Sequence, residues 1–181
     1  MKRSQRRVVA LVAHADDETL GCGGTLPQLA GAGWQVEVVI CSDGLITARR
    51  GDPVDTRGRA KEACDLLGLP GPTFLGWPDQ MFDRQPASVL AQDVTDAVGR
   101  PELLLTHSRA DLNLDHRLVA EAALIAVRPP GTPVTVLAME VPGEASFASR
   151  AVAPTFYADI SSTLERKVSA FALYATENRP G

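Results

Sequence analysis

The sequence predicts an α/β three-layer sandwich built around a mostly parallel central sheet. Three observations carry this. Val8–Val12 is an uninterrupted, valine-rich apolar run, as a strand buried on both faces requires. Strand-like and helix-like stretches then alternate along the chain, with no internal repeat or low-complexity block between them. A length of 181 residues, with 45% hydrophobic and 22% charged, suits one compact domain with a substantial core.

Taken in order, Val8–Val12 is the first strand, and a helix is expected from about Glu18 to Ala32, although Gly21, Gly23, Gly24 and Pro27 within it are poor helix formers. Gln35–Cys41 is the second strand, followed by the polar loop SDGLITARRGDPVDT. RGRAKEACDLLG reads as a helix closing on Gly68, Thr73–Leu75 as a short third strand, and Ser88–Val98 as a helix. Glu102–Thr106 is a fourth strand ending at His107, and an amphipathic helix follows, with Asp115 as its expected cap. Thr132–Met139 is the fifth strand, Phe156–Ile160 a sixth, and Ser161–Tyr174 the last helix. The fold class implies a Rossmann-like strand order 3-2-1-4-5, which makes the first and fourth strands neighbours and brings their loops together where the order reverses.

A net charge of −4 argues against a general nucleic-acid binder, because phosphate neutralisation needs a basic surface. The basic start MKRSQRR has only Val8–Ala13 between it and His14, too short for a signal-peptide core, and no later segment is expected to span a bilayer. Cys22, Cys41 and Cys64 are odd in number and widely spaced, which suggests neither a disulfide framework nor a thiolate metal site. A cytoplasmic location fits these features.

The chemistry-bearing residues gather on two loops. His14, Asp16, Asp17 and Glu18 follow the first strand, and His107, Asp111, Asn113, Asp115 and His116 follow the fourth. All three histidines of the chain are among them. Two imidazoles and one carboxylate make a good catalytic zinc set, and spare carboxylates can serve as general base or orient a ligand imidazole. From chemistry alone, Asp16 and Asp17 are interchangeable in these roles.

AHADDETLGCGGTL together with DLNLDH resembles the PIG-L or LmbE-like family of zinc-dependent N-deacetylases, whose first motif usually reads AHPDDE and whose second ends in DH. The resemblance extends to the SDG turn at Ser42–Gly44, the LGWPDQ loop and FYADISSTLERKVSAFALY. It implies that His14, Asp17 and His116 bind Zn2+ (iron and cobalt accept the same ligands) and that Asp16 is the general base. The implied reaction removes an acetyl group from an N-acetylated sugar conjugate of the N-acetylglucosaminyl type. Asp115 is then expected to hold one of the active-site imidazoles.

Three features depart from the family pattern. Ala15 replaces the usual proline and removes no reactive group. Asn113 stands where well-known members carry a histidine, and an amide cannot supply a proton at neutral pH. Either Asp16 performs both proton transfers, which is the reading favoured here, or His107 contributes, or this branch works differently. The sequence ends at ENRPG, so part of a substrate-covering wall is expected to be either missing or supplied by a neighbouring subunit of a homo-oligomer.

For substrate contacts, Asp79 is expected to accept hydrogen bonds from sugar hydroxyls. Arg49, Arg50 and Arg57 are candidates to reach a carboxylate, phosphate or sugar oxygens, with Arg50 the one selected. His107 is a further candidate contact, and Trp77 is either a stacking platform or a buried loop anchor. Two alternatives belong to other classes: a catalytically silent metal-binding relative, and a nucleotide-binding Rossmann-like module. The second fits poorly, because GCGG comes late after the strand and follows acids that repel phosphate.

Overall fold

The structure is a computed structural model that describes residues 6–46, 54–142 and 153–174. Its elements in chain order are β1 (Arg7–Val12), α1 (Asp17–Cys22), α2 (Thr25–Gly31), β2 (Gln35–Ser42), β3 (Leu45–Ile46), β4 (Val54–Asp55) and α3 (Arg57–Leu67). These are followed by β5 (Thr73–Trp77), a 3-10 turn at Phe82–Arg84, α4 (Ala87–Val98), β6 (Leu103–His107), α5 (Leu114–Ala126), β7 (Thr135–Met139) and α6 (Leu164–Ala172).

The main sheet is wholly parallel and runs β5-β2-β1-β6-β7. Counted over its own five strands this is the order 3-2-1-4-5; counted over all seven it differs, because β3 and β4 fall between the second and third sheet strands and pair only with each other. β1 is central, with β2 on one side and β6 on the other. Its side chains divide with a period of two. Val8, Ala10 and Val12 enter one core with Leu26, Ala63, Leu67 and Tyr174, and Val9, Leu11 and Ala13 enter the other with Leu90, Val94, Val119 and Ala123. The continuous apolar run is therefore the signature of a strand covered on both faces, by α1, α2, α3 and α6 on one side and α4 and α5 on the other.

Several boundaries differ from expectation, each for a local reason. The helix expected over Glu18–Ala32 is two helices, α1 and α2, separated at Gly23 and Gly24. Ile160 packs against Gly24, where a side chain would meet it at 2.7 Å, so the break lets that segment approach the backbone. Phe156–Ile160 forms no strand; Phe156 and Tyr157 are 65% and 78% exposed, so no sheet face covers them. β7 starts at Thr135 rather than Thr132. The cap of α5 is Asn113, not Asp115: Asn113 Oδ1 accepts the Asp115 N–H at 3.0 Å. Arg49 and Arg50 lie outside the described residues.

Candidate metal centre

β1 and β6 lie side by side, and the chain order reverses between them. The loops leaving their carboxyl ends therefore meet, and His14 and His116 come together there although 102 positions apart.

His14, Asp17 and His116 converge. His116 Nε2 is 3.3 Å from His14 Nδ1 and 3.3 Å from Asp17 Oδ2, and His14 Nδ1 is 3.5 Å from the same oxygen. A tetrahedral ion bonded at about 2.0–2.1 Å has donor atoms about 3.3–3.4 Å apart along each edge, so these three atoms have the spacing of one tetrahedral face. The outward nitrogens agree with this. His14 Nε2 lies 3.1 Å from Asp115 Oδ2, and His116 Nδ1 lies 3.0 Å from Asp111 Oδ2. With each ring hydrogen donated to its carboxylate, the lone pairs of His14 Nδ1 and His116 Nε2 face inward beside Asp17. The donor set fits a divalent metal. His107, Asp111 and His116 form a second, overlapping group, but there Asp111 is already engaged with His116 Nδ1.

The supporting residues are themselves held. Asp115 Oδ1 accepts the Phe82 N–H at 3.2 Å, and Asp111 Oδ1 accepts the Asn113 N–H at 2.9 Å. Asp17 Oδ2 also accepts the His14 N–H at 2.8 Å, which fixes the turn between the two residues. Gln80 Nε2 lies 3.3 Å from His14 Nε2.

Charge in the cluster is paired. Burial disfavours the His14 cation, but Asp115 and Asp17 outweigh it and hold the imidazole well above its usual range. His116 behaves alike: Asp17 and Asp111 overcome burial and raise it to about 9. Burial opposes ionisation of Asp17 too, yet His116 and His107 keep it well below the usual carboxylate range. A metal cation would replace the two protons that the imidazoles otherwise hold.

Asp16 differs from its neighbours. It is half-buried where His14, Asp17 and Glu18 are buried, and its backbone has φ 134°, a conformation L-residues rarely adopt. Asp79 is buried after β5, and burial raises its carboxyl while His14 opposes the shift. Asn113 is half-buried at the start of α5, its oxygen committed to the cap. His107 is 1% exposed: its Nε2 accepts the Ala13 N–H at 2.9 Å, and its ring stacks on His116 with centroids 3.9 Å apart. That places it behind the His116 imidazole. Trp77 is the buried anchor, donating from Nε1 to Asp93 at 2.9 Å, and Arg57 is paired with Asp55 at 2.7 Å.

Two contacts were not assigned from sequence, Asp111 to His116 and Gln80 to His14. Asp111 had a signal, being an acid between two histidines on the loop after β6; Gln80 had none. A cavity of about 660 Å³ is lined by Leu20, Gly21, Ser108, Met139, Phe156 and Lys167, and none of the clustered histidines and acids is in its wall.

A family model described as PIG-L: GlcNAc-PI de-N-acetylase matches residues 9–127, which contain most of β1, all of β6 and every residue of the converging cluster. The chain belongs to the PIG-L family. Deacetylases of this family depend on a metal, and the cluster could hold one. Among relatives, a 1D-myo-inositol 2-acetamido-2-deoxy-alpha-D-glucopyranoside deacetylase of Mycobacteroides abscessus is 34% identical over 125 residues, covering 58% of this chain and 45% of that protein. The match thus spans less than half of that relative. The N,N'-diacetylchitobiose deacetylase of Pyrococcus horikoshii shares the fold at TM-score 0.78 and 18% identity, over 97% of this chain and 72% of the other. A 4-carboxy-2-hydroxymuconate hydratase, GalB of Pseudomonas putida KT2440, does so at TM-score 0.77 and 23% identity, over 96% and 80%. The PIG-L fold therefore does not by itself determine the reaction. No helix among the described residues is long and apolar enough to cross a membrane.

Proposed function

We propose that the protein hydrolyses the acetamide of an N-acetylated sugar conjugate, with His14, Asp17 and His116 holding Zn2+ and Asp16 as general base. The observation that carries this reading is the triangle of inward-facing donors from His14, Asp17 and His116, with the half-buried Asp16 next to Asp17 in the chain. A hydratase fold neighbour makes this local geometry, rather than the fold, the argument.

Bound in that triangle, the metal supplies Lewis acidity toward an amide carbonyl and makes water acidic near neutral pH. Asp16 accepts a proton from water as its oxygen adds to the acetyl carbon. The same carboxyl then returns the proton to the sugar nitrogen as the C–N bond breaks, leaving acetate and a free amine. Asp115 and Asp111 hold His14 and His116 in orientation through their outward nitrogens. Asn113 can donate from its amide nitrogen to the developing oxyanion while its oxygen caps α5. Asp79 accepts hydrogen bonds from sugar hydroxyls, and Arg50 meets an anionic or hydroxylated part of the conjugate. Buried His107 backs His116. The three cysteines are buried thiols, which suits a reducing cytoplasm.

The test is release of free amine from a panel of N-acetylglucosaminyl conjugates by chelator-stripped and zinc-restored protein. Release that disappears on stripping and returns with zinc supports the reading. No release from zinc-loaded protein across the panel contradicts it.

A further inference from the structure

The most completely buried acid of the DDE triplet is the one the chemistry above does not use. Glu18 is 0% exposed, and its carboxylate accepts three hydrogen bonds. Thr19 Oγ1 donates to Oε1 at 2.7 Å, the Tyr174 hydroxyl donates to Oε1 at 2.8 Å, and the Asp16 N–H donates to Oε2 at 3.0 Å. We infer that Glu18 and Tyr174 are positioning residues for Asp16: Glu18, fixed by Tyr174, clamps the Asp16 peptide in its unusual conformation and so aims the Asp16 carboxylate. This inference rests on the role proposed above for Asp16.

Asp16 is the N-cap residue of α1, and its carbonyl accepts the Thr19 and Leu20 N–H groups at 3.0 and 2.8 Å. Its N–H goes to Glu18. The residue is thus gripped on both sides while its φ is 134°, a strained conformation that persists only where the surrounding contacts hold it. A side chain reaching back to the cap N–H resembles a capping box, which is ordinarily a surface device sufficient in itself. Here the acid is instead sunk into the core and joined to a tyrosine 156 positions away. Burying a carboxylate is costly unless it is fully hydrogen-bonded, and a helix start alone does not require that cost.

The distant partner is well anchored. Tyr174 is 0% exposed in the core with α3, and α6 is fastened to α1 and α2 by two further bonds. Lys167 Nζ donates to the Leu20 carbonyl at 2.8 Å, and Thr163 Oγ1 to the Gly24 carbonyl at 2.6 Å. The clamp therefore makes the docking of the last helix a condition for the geometry of the general base.

The experiment uses Tyr174→Phe and Glu18→Gln, each made in the wild-type and Asp16→Asn backgrounds, all zinc-loaded. Tyr174→Phe should keep one zinc per chain and an unchanged KM while kcat falls about tenfold, the scale of losing one buried bond to a charged group. In the Asp16→Asn background the same change should leave residual turnover unaltered. The independent readout is hydrogen exchange at the Asp16 amide, which should quicken about tenfold in Glu18→Gln and Tyr174→Phe while the Leu11 amide of β1 is unchanged. A further fall of equal size in the Asp16→Asn background, or unaltered Asp16 exchange, would overturn the clamp. If zinc-loaded wild type releases no amine, the deacetylase reading fails and exchange alone decides: faster exchange upholds the clamp, and unaltered exchange removes it.

Discussion

Asp115 Oδ2 lies 3.1 Å from His14 Nε2, tying the first turn of α5 to the loop after β1 across 101 positions of sequence. The acid next to His116 thus serves the other histidine, and His116 is served by Asp111. The His14 and His116 imidazoles are each oriented by a carboxylate from the loop after β6 or the helix it leads into.

Asp115→Ala should therefore lower zinc affinity by about 10–100-fold, the usual cost of losing an outer-shell partner. Asp115→Asn should cost less, because an amide oxygen still accepts from the imidazole. Competition against a chromogenic chelator measures both, and equal affinities for wild type and Asp115→Ala would remove Asp115 from this role.

Metal-free protein should lose stability as pH rises from about 6.5 to about 9. Unfolded histidine titrates near 6.5, whereas folded His116 titrates at about 9 and His14 also lies well above its ordinary value. Groups raised on folding contribute stability that is fully present below the unfolded pKa and lost through the folded one. His107, pulled down by burial, titrates below this window. Melting temperatures with chelator should fall across it, while zinc-loaded protein, whose imidazoles have exchanged protons for metal, should show no such fall. A flat or rising metal-free profile would contradict the charge pairing described.

Asn113→Ala should destabilise the zinc-loaded protein by about 1 kcal/mol, because α5 loses its cap, and Asn113→Ser should recover most of this. Urea midpoints test the difference. An unchanged midpoint in the alanine variant would mean the cap contributes nothing.

The sheet was legible because its central strand is buried on both faces, so Val8–Val12 carries an apolar signal without interruption. The switch between β1 and β6 followed from that fold class, and with it the meeting of the two histidine-bearing loops. Short elements were not legible: β3 and β4 are two residues each, too short for any periodicity. Phe156–Ile160 has strand-like composition but no partner strand, and composition cannot supply one. Asn113 and Asp115 are both good caps, and only the backbone conformation distinguishes them. Glu18 read as one more acid in a polar run because its partner, Tyr174, is distant in sequence.

The proposed function divides the work: Asp16 moves the protons, and His14, Asp17 and His116 hold the metal. The most direct test measures bound zinc and amine release in the same samples of wild type, Asp16→Asn and His116→Ala. Asp16→Asn should keep one zinc per chain and lose most turnover, whereas His116→Ala should lose both. Equal loss of zinc in the two variants, or full turnover in zinc-loaded Asp16→Asn, would contradict it.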